Sequence, residues 1–174
     1  MKKTILKSFG VLAAAALATT TATAAITGQV DVKLKVESGC TVDNSQNNGN
    51  MNNFGTLDFG RTSSTWANIL TGEVASSGNG GDIAVTCDAG VTGFDVSIDS
   101  GERGDRTLSN ATDTVAYNVY QDAARSKEYV ANQKVAFSST GTPVNVPIFG
   151  SIASNAVAVS EGDYTDTLLV TVSF

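Results

Sequence analysis

The 174-residue chain has no histidine, 2 cysteines, 2 prolines and 1 tryptophan. Without histidine there is no Ser-His-Asp or Cys-His pair for nucleophilic catalysis. Scarce proline beside 17 glycines speaks against a Pro-rich linker while permitting many tight turns. Basic residues are few, 11 against 17 acidic ones. With no basic run, neither nucleic acid nor an anionic membrane is an expected partner. No apolar stretch approaches the roughly 20 residues of a membrane-spanning helix, so no membrane insertion is expected.

What the first residues do contain is an export pattern. Lys2, Lys3 and Lys7 precede an Ala/Leu-rich run from Val11 to Ala18, followed by the small-x-small site Ala22-Thr23-Ala24. Residues 1–24 are therefore expected to be a cleaved signal peptide, with the mature chain starting at Ala25 and exported. The remaining 150 residues suffice for one domain with a sizeable core. Losing three lysines lowers Lys+Arg from 11 to 8 against the same 17 acidic residues, a mature net charge of −9.

An exported chain also gives meaning to its cysteine pair. Cys40 and Cys87 are expected to form one disulfide, since an isolated pair in an oxidising compartment is oxidised. The rival readings are free thiols or a metal pair. Two distant thiols with no histidine make a poor zinc site, and neither a metal nor a cofactor is expected. Closing a 47-residue loop stabilises a fold by about 4 kcal/mol in the chain-entropy model.

Beyond the leader, short alternating runs recur between Gly, Asn, Asp and Ser clusters, the pattern of an all-β sandwich. Ile26, Gly28, Val30, Val32, Leu34 and Val36 alternate with Thr27, Gln29, Asp31, Lys33, Lys35 and Glu37. That predicts one long strand with an apolar and a charged face. An Asn-rich loop follows over 43–50. Further strands are predicted at 53–59, 83–87, 94–98 and 115–120. Residues 143–149 hold both prolines and suit an edge or a bend. Residues 61–77 read as irregular or weakly stranded. The last strand places Leu168, Val170, Val172 and Phe174 on one side.

These two ends are complementary. A spare strand at the start and a strand lacking a neighbour at the end are what donor-strand complementation needs, a form of β-strand addition. Such head-to-tail contacts do not close, so they build a fibre. On this reading 25–35 is the donor strand, carrying Ile26, Gly28, Val30, Val32 and Leu34, and 36–174 is an incomplete sandwich. The plainer alternative is that 26–36 is the first strand of a closed sandwich.

Five segments in order strengthen the first reading. Asn53-Phe54-Gly55-Thr56-Leu57-Asp58-Phe59-Gly60 resembles the F-G-x-x-D element of the spore coat protein U domain family. Ile83 to Cys87 is similar to its second-cysteine strand, and Val115 to Asp122 to its L-x-Y-x-L-Y-x-D element, with Val115 and Val119 in place of Leu. Ile148 to Ile152 resembles its apolar-Gly turn, and Gly162 to Val172 its closing G-x-Y-x-D strand. The resemblance covers nearly the whole mature chain and points to the archaic, Csu-type chaperone–usher pilins, nearest their major rod subunits. It implies an all-β, incomplete immunoglobulin-like sandwich that a periplasmic chaperone completes. An outer-membrane usher then exchanges that chaperone for the next subunit's donor strand. The implied product is a pilus at the cell surface serving attachment and biofilm formation. Leu168, Val170, Val172 and Phe174 become the acceptor and chaperone-contact strand.

Chemistry has little else to stand on, and no enzyme is expected. Asp99, Glu102 and Asp105, beside Arg103 and Arg106, read as a charged, solvated turn; Glu161, Asp163 and Asp166 read similarly. Neither cluster has the EF-hand order. Trp66, Tyr117, Tyr120, Tyr129 and Tyr164 would have to form an exposed platform for the competing function, a secreted carbohydrate-binding module. Tyr117 and Tyr120 instead fit sheet packing, and Tyr164 a corner hydrogen bond of the kind found in sandwiches.

Overall fold

A computed structural model describes residues 26–43, 52–75 and 82–174. The expected signal peptide and all but the start of the Asn-rich loop lie outside them. The chain divides into two units, 1–35 and 36–174. In the first, residues 26–35 belong to no strand and are exposed. The predicted long first strand is thus not formed here. Alternation sets which face is apolar, whereas a ladder requires a partner.

Among the described residues, the second unit contains twelve strands and no helix. They are β1 (Cys40–Val42), β2 (Thr56–Leu57), β3 (Leu70–Ala75), β4 (Asp82–Cys87), β5 (Gly93–Ile98), β6 (Thr107–Ser109), β7 (Thr114–Ala116), β8 (Asn118–Tyr120), β9 (Val135–Ser138), β10 (Val144–Pro147), β11 (Phe149–Ile152) and β12 (Val170–Ser173). All pairings are antiparallel, in the orders β1-β4-β10, β2-β3-β11-β8, β12-β5-β9 and β6-β7. Strict alternation in β4 and β5 buries Ile83, Val85 and Cys87 in one and Phe94, Val96 and Ile98 in the other. They meet Val74, Val119, Val146 and Ile152 from other strands, and Ile148 between β10 and β11, in one core. Face-to-face packing of antiparallel sheets around a shared core is the immunoglobulin-like sandwich expected from the sequence.

Several elements differ in detail. The proline segment splits at Ile148: β10 pairs with β4, and β11 with β3 and β8. The chain therefore changes sheets there, with β10 at an edge, where a residue lacking an N–H is tolerated. The apolar-Gly "turn" is the strand β11. The segment 115–120 breaks at Tyr117 into β7 and β8, although its alternating burial continues through the break. Residues 70–75, expected to be weak, lie inside a four-stranded sheet. Gly72 hid that strand by interrupting its apolar pattern. Its role is close approach: Gly72 pairs with Gly150, and added Cβ atoms would lie 2.5 Å from the Asp58 carbonyl and 2.7 Å from the Phe59 ring, respectively. Two glycines side by side thus let residues 57–59 cross over this sheet.

Candidate functional site

The cysteine pair is a disulfide joining directly opposed residues of β1 and β4. It ties the beginning of the sandwich to a central strand, and its sulfurs are 2.01 Å apart.

At the other end of the chain, β12 pairs with β5 through Val170–Ile98, Thr171–Ser97, Val172–Val96 and Ser173–Asp95. Its second edge has no strand partner among the described residues. The edge of β2 facing away from β3 is likewise unpaired. Between these two edges lies an open cleft of about 590 Å³. Val74, Ile83, Ile98 and Ile148 of the core reach it, and Phe54, Leu57, Phe59, Leu108, Leu168 and Val170 line it. A second cleft of about 850 Å³ shares Leu57, Phe59 and Leu108 with the first and extends past Trp66, Leu70, Ile152, Val159 and Tyr164. Together they make one trough with residues 52–66 on one wall and 159–170 on the other. Hydrogen bonds Trp66 N to Asn155 O at 2.9 Å and Val159 N to Ser64 O at 3.1 Å join the walls at one end.

Of the expected acceptor residues, Leu168, Val170 and Val172 are half-buried against the core. Leu168 and Val170 line the trough. Phe174 is 65% exposed, just past β12. The expected donor residues Ile26, Val30, Val32 and Leu34 are 85–98% exposed, and a Cβ at Gly28 would meet nothing within 4 Å.

In the charged clusters Glu102, Arg103, Asp105, Glu161 and Asp163 are exposed, as a solvated turn requires, but Arg106 and Asp166 are not. Arg106 is buried, and its guanidinium donates to the carbonyls of Asp99 (3.0 and 3.1 Å), Ile98 (3.3 Å) and Tyr129 (2.5 Å). Burial lowers its pKa, partly opposed by the nearby Tyr117, Glu128 and Asp99. The left-handed backbone of Arg106, φ 53°, turns this side chain inward, which charge patterning along the sequence does not reveal. Asp166 also turns inward, with only 2% of its side chain exposed. Its Oδ2 accepts from the Tyr117 hydroxyl at 2.6 Å; its Oδ1 accepts from Glu102 N at 3.0 Å and Arg103 at 3.2 Å. Burial first, and this bond second, hold the Tyr117 phenol well above its ordinary pKa. Asp113, taking a backbone hydrogen bond from Ser160 at 2.7 Å, has its pKa lowered by that bond.

The aromatic side chains are spent internally. Tyr117 and Tyr129 are buried, Tyr129 donating to Pro147 O at 3.1 Å. Trp66 donates to Ala153 O at 2.7 Å, and Tyr164 to Ser160 O at 2.8 Å, the expected corner bond. No exposed platform of these rings forms.

Among the described residues, the antiparallel sandwich thus leaves one edge of its last strand unpaired beside an open, largely apolar trough. The family model for the Spore Coat Protein U domain matches residues 26–171, and the chain belongs to that family. No curated protein matches the sequence. Among solved structures it is similar to the crystal structure of a CsuC–CsuE chaperone–tip adhesion subunit pre-assembly complex from archaic chaperone–usher Csu pili of Acinetobacter baumannii. The two share 16% identity at a TM-score of 0.46, over 80% of this chain and 40% of that one.

Proposed function

We infer that this chain is a structural pilus subunit of the archaic chaperone–usher kind, polymerising head-to-tail by donor-strand complementation. Residues 25–35 of one subunit enter the trough of the next, pairing with the free edge of the 166–173 wall. Ile26, Val30, Val32 and Leu34 then replace solvent over the apolar floor. The observation that carries this reading is the open trough beside an unpaired last strand, in a family member whose alternating apolar segment 26–34 is exposed. Burying four such side chains at about 1.5–3 kcal/mol each contributes roughly 6–12 kcal/mol before ordering costs. A periplasmic chaperone would cover the trough during export, an outer-membrane usher would exchange it for a donor, and the fibre would support surface attachment and biofilm formation. The role is structural and not enzymatic.

The test compares the mature chain with a version lacking residues 25–35 on denaturing gels without boiling. A ladder of heat-sensitive multimers from the intact chain alone is the expected result. Stable monomers from both would overturn the pilin reading and leave a secreted glycan-binding module as the next candidate.

A further inference from the structure

Of the wall that a donor strand would pair with, 170–173 is held by its ladder to β5, but the stretch before it is not. Among the described residues, the backbone of Asp166, Thr167 and Leu168 forms no hydrogen bond. The wall is anchored on either side of that gap. Thr165 and Ser109 exchange two backbone bonds of 3.0 Å. At the other end, Leu169 N donates to Asp99 Oδ1 at 2.9 Å and Leu169 O accepts from Asp99 N at 3.1 Å. Across the gap, one side chain does the fastening. Asp166 binds Tyr117 through one oxygen and the 102–103 turn through the other. The fit leaves no slack, since a Cβ added at Gly101 would lie 2.1 Å from Asp166 Oδ2.

We propose that Asp166 is a positioning residue for strand uptake, fastening the unladdered 166–168 wall to Tyr117 and the 102–103 turn so that its free edge is ready for a donor. This rests on the trough being the acceptor of a neighbour's strand. A free strand edge in water competes with collapse onto the exposed apolar floor, and its ordering otherwise has to occur during docking. Fastening by a buried carboxylate removes that ordering from the association step while leaving the backbone of 166–168 unused. Once a donor is in place, its ladder holds the same wall, so the carboxylate matters for the rate of assembly and little for the assembled fibre.

The experiment is a refolding time course of the full mature chain, following heat-sensitive multimers on unboiled gels and the temperature at which they dissociate. Asp166→Ala is expected to slow multimer formation about tenfold, the size of a lost charge-assisted hydrogen bond. Multimer dissociation temperature should stay near that of the wild type. Asp166→Asn keeps an acceptor for Tyr117 but turns an NH2 toward the Glu102 N–H and Arg103 donors, so it should recover only a small part of the rate. Tyr117→Phe removes one of the three contacts without altering the carboxylate, giving a smaller slowing; it carries the test if Asp166→Ala does not fold, as judged by Trp66 fluorescence. Equal assembly rates for wild type and these variants would overturn the positioning role while leaving strand exchange intact. Equal losses of rate and multimer stability would also overturn it, since they mark ordinary structural damage. Wild-type chain that forms no multimers would remove the underlying reading itself.

Discussion

Tyr117 and Arg106 show how single side chains bear on this sandwich. The Tyr117 phenol loses water on burial and donates to Asp166, so the fold keeps the proton that an unfolded tyrosine releases near pH 10. A folded pKa raised above the unfolded one contributes stability that is complete below about pH 10 and is lost as pH rises toward the folded value. Unfolding free energies from urea titrations between pH 8 and pH 11 should therefore fall, by on the order of 1 kcal/mol per pH unit above 10 from this group. In Tyr117→Phe the baseline is lower and that part of the alkaline slope is absent. Arg106 satisfies the carbonyls of Ile98, Asp99 and Tyr129 at the end of β5. Arg106→Met keeps much of the volume but leaves those oxygens without their guanidinium partner. A loss of about 3 kcal/mol in urea unfolding is expected.

Among the elements, β1 is three residues long and lies at a sheet edge, paired among the described residues only to β4. A strand so short has little ladder to hold it, so the Cys40–Cys87 bond is its main anchor. Replacing both cysteines by serine should lower stability by up to about 4 kcal/mol, seen as a drop in denaturant midpoint reproduced in the wild type by reductant. The β10–β11 pair shows an element divided by its environment. One apolar run from 144 to 152 serves two sheets because Ile148 turns into the core between them. Periodicity along the run cannot mark that change, because both halves alternate and only their partners differ. The β3 strand was obscured for the opposite reason. Its middle residue is a glycine selected by the approach of residues 57–59, not by strand propensity.

For the whole molecule, assembly should depend on side chains that contribute nothing to the isolated subunit. Val30 is 85% exposed, so Val30→Asp should leave the unfolding free energy of the monomer unchanged within about 0.5 kcal/mol. The same change should abolish heat-sensitive multimers, because a carboxylate cannot enter an apolar trough without a partner. The sequence alone determined the all-β class, the cysteine pairing, the apolar parity of both terminal segments and the family, because alternation and residue type are local properties of a chain. It also pointed to the tyrosine corner at Tyr164. The tertiary structure alone decided that Arg106 and Asp166 are buried fasteners and not parts of solvated turns. It also decided that Tyr117 interrupts a strand, and that an apolar trough lies beside the last one. Burial, hydrogen-bond partners and free edges arise from residues far apart in the chain, as with Asp166 and Tyr117, 49 positions apart. No local pattern encodes which of them meet.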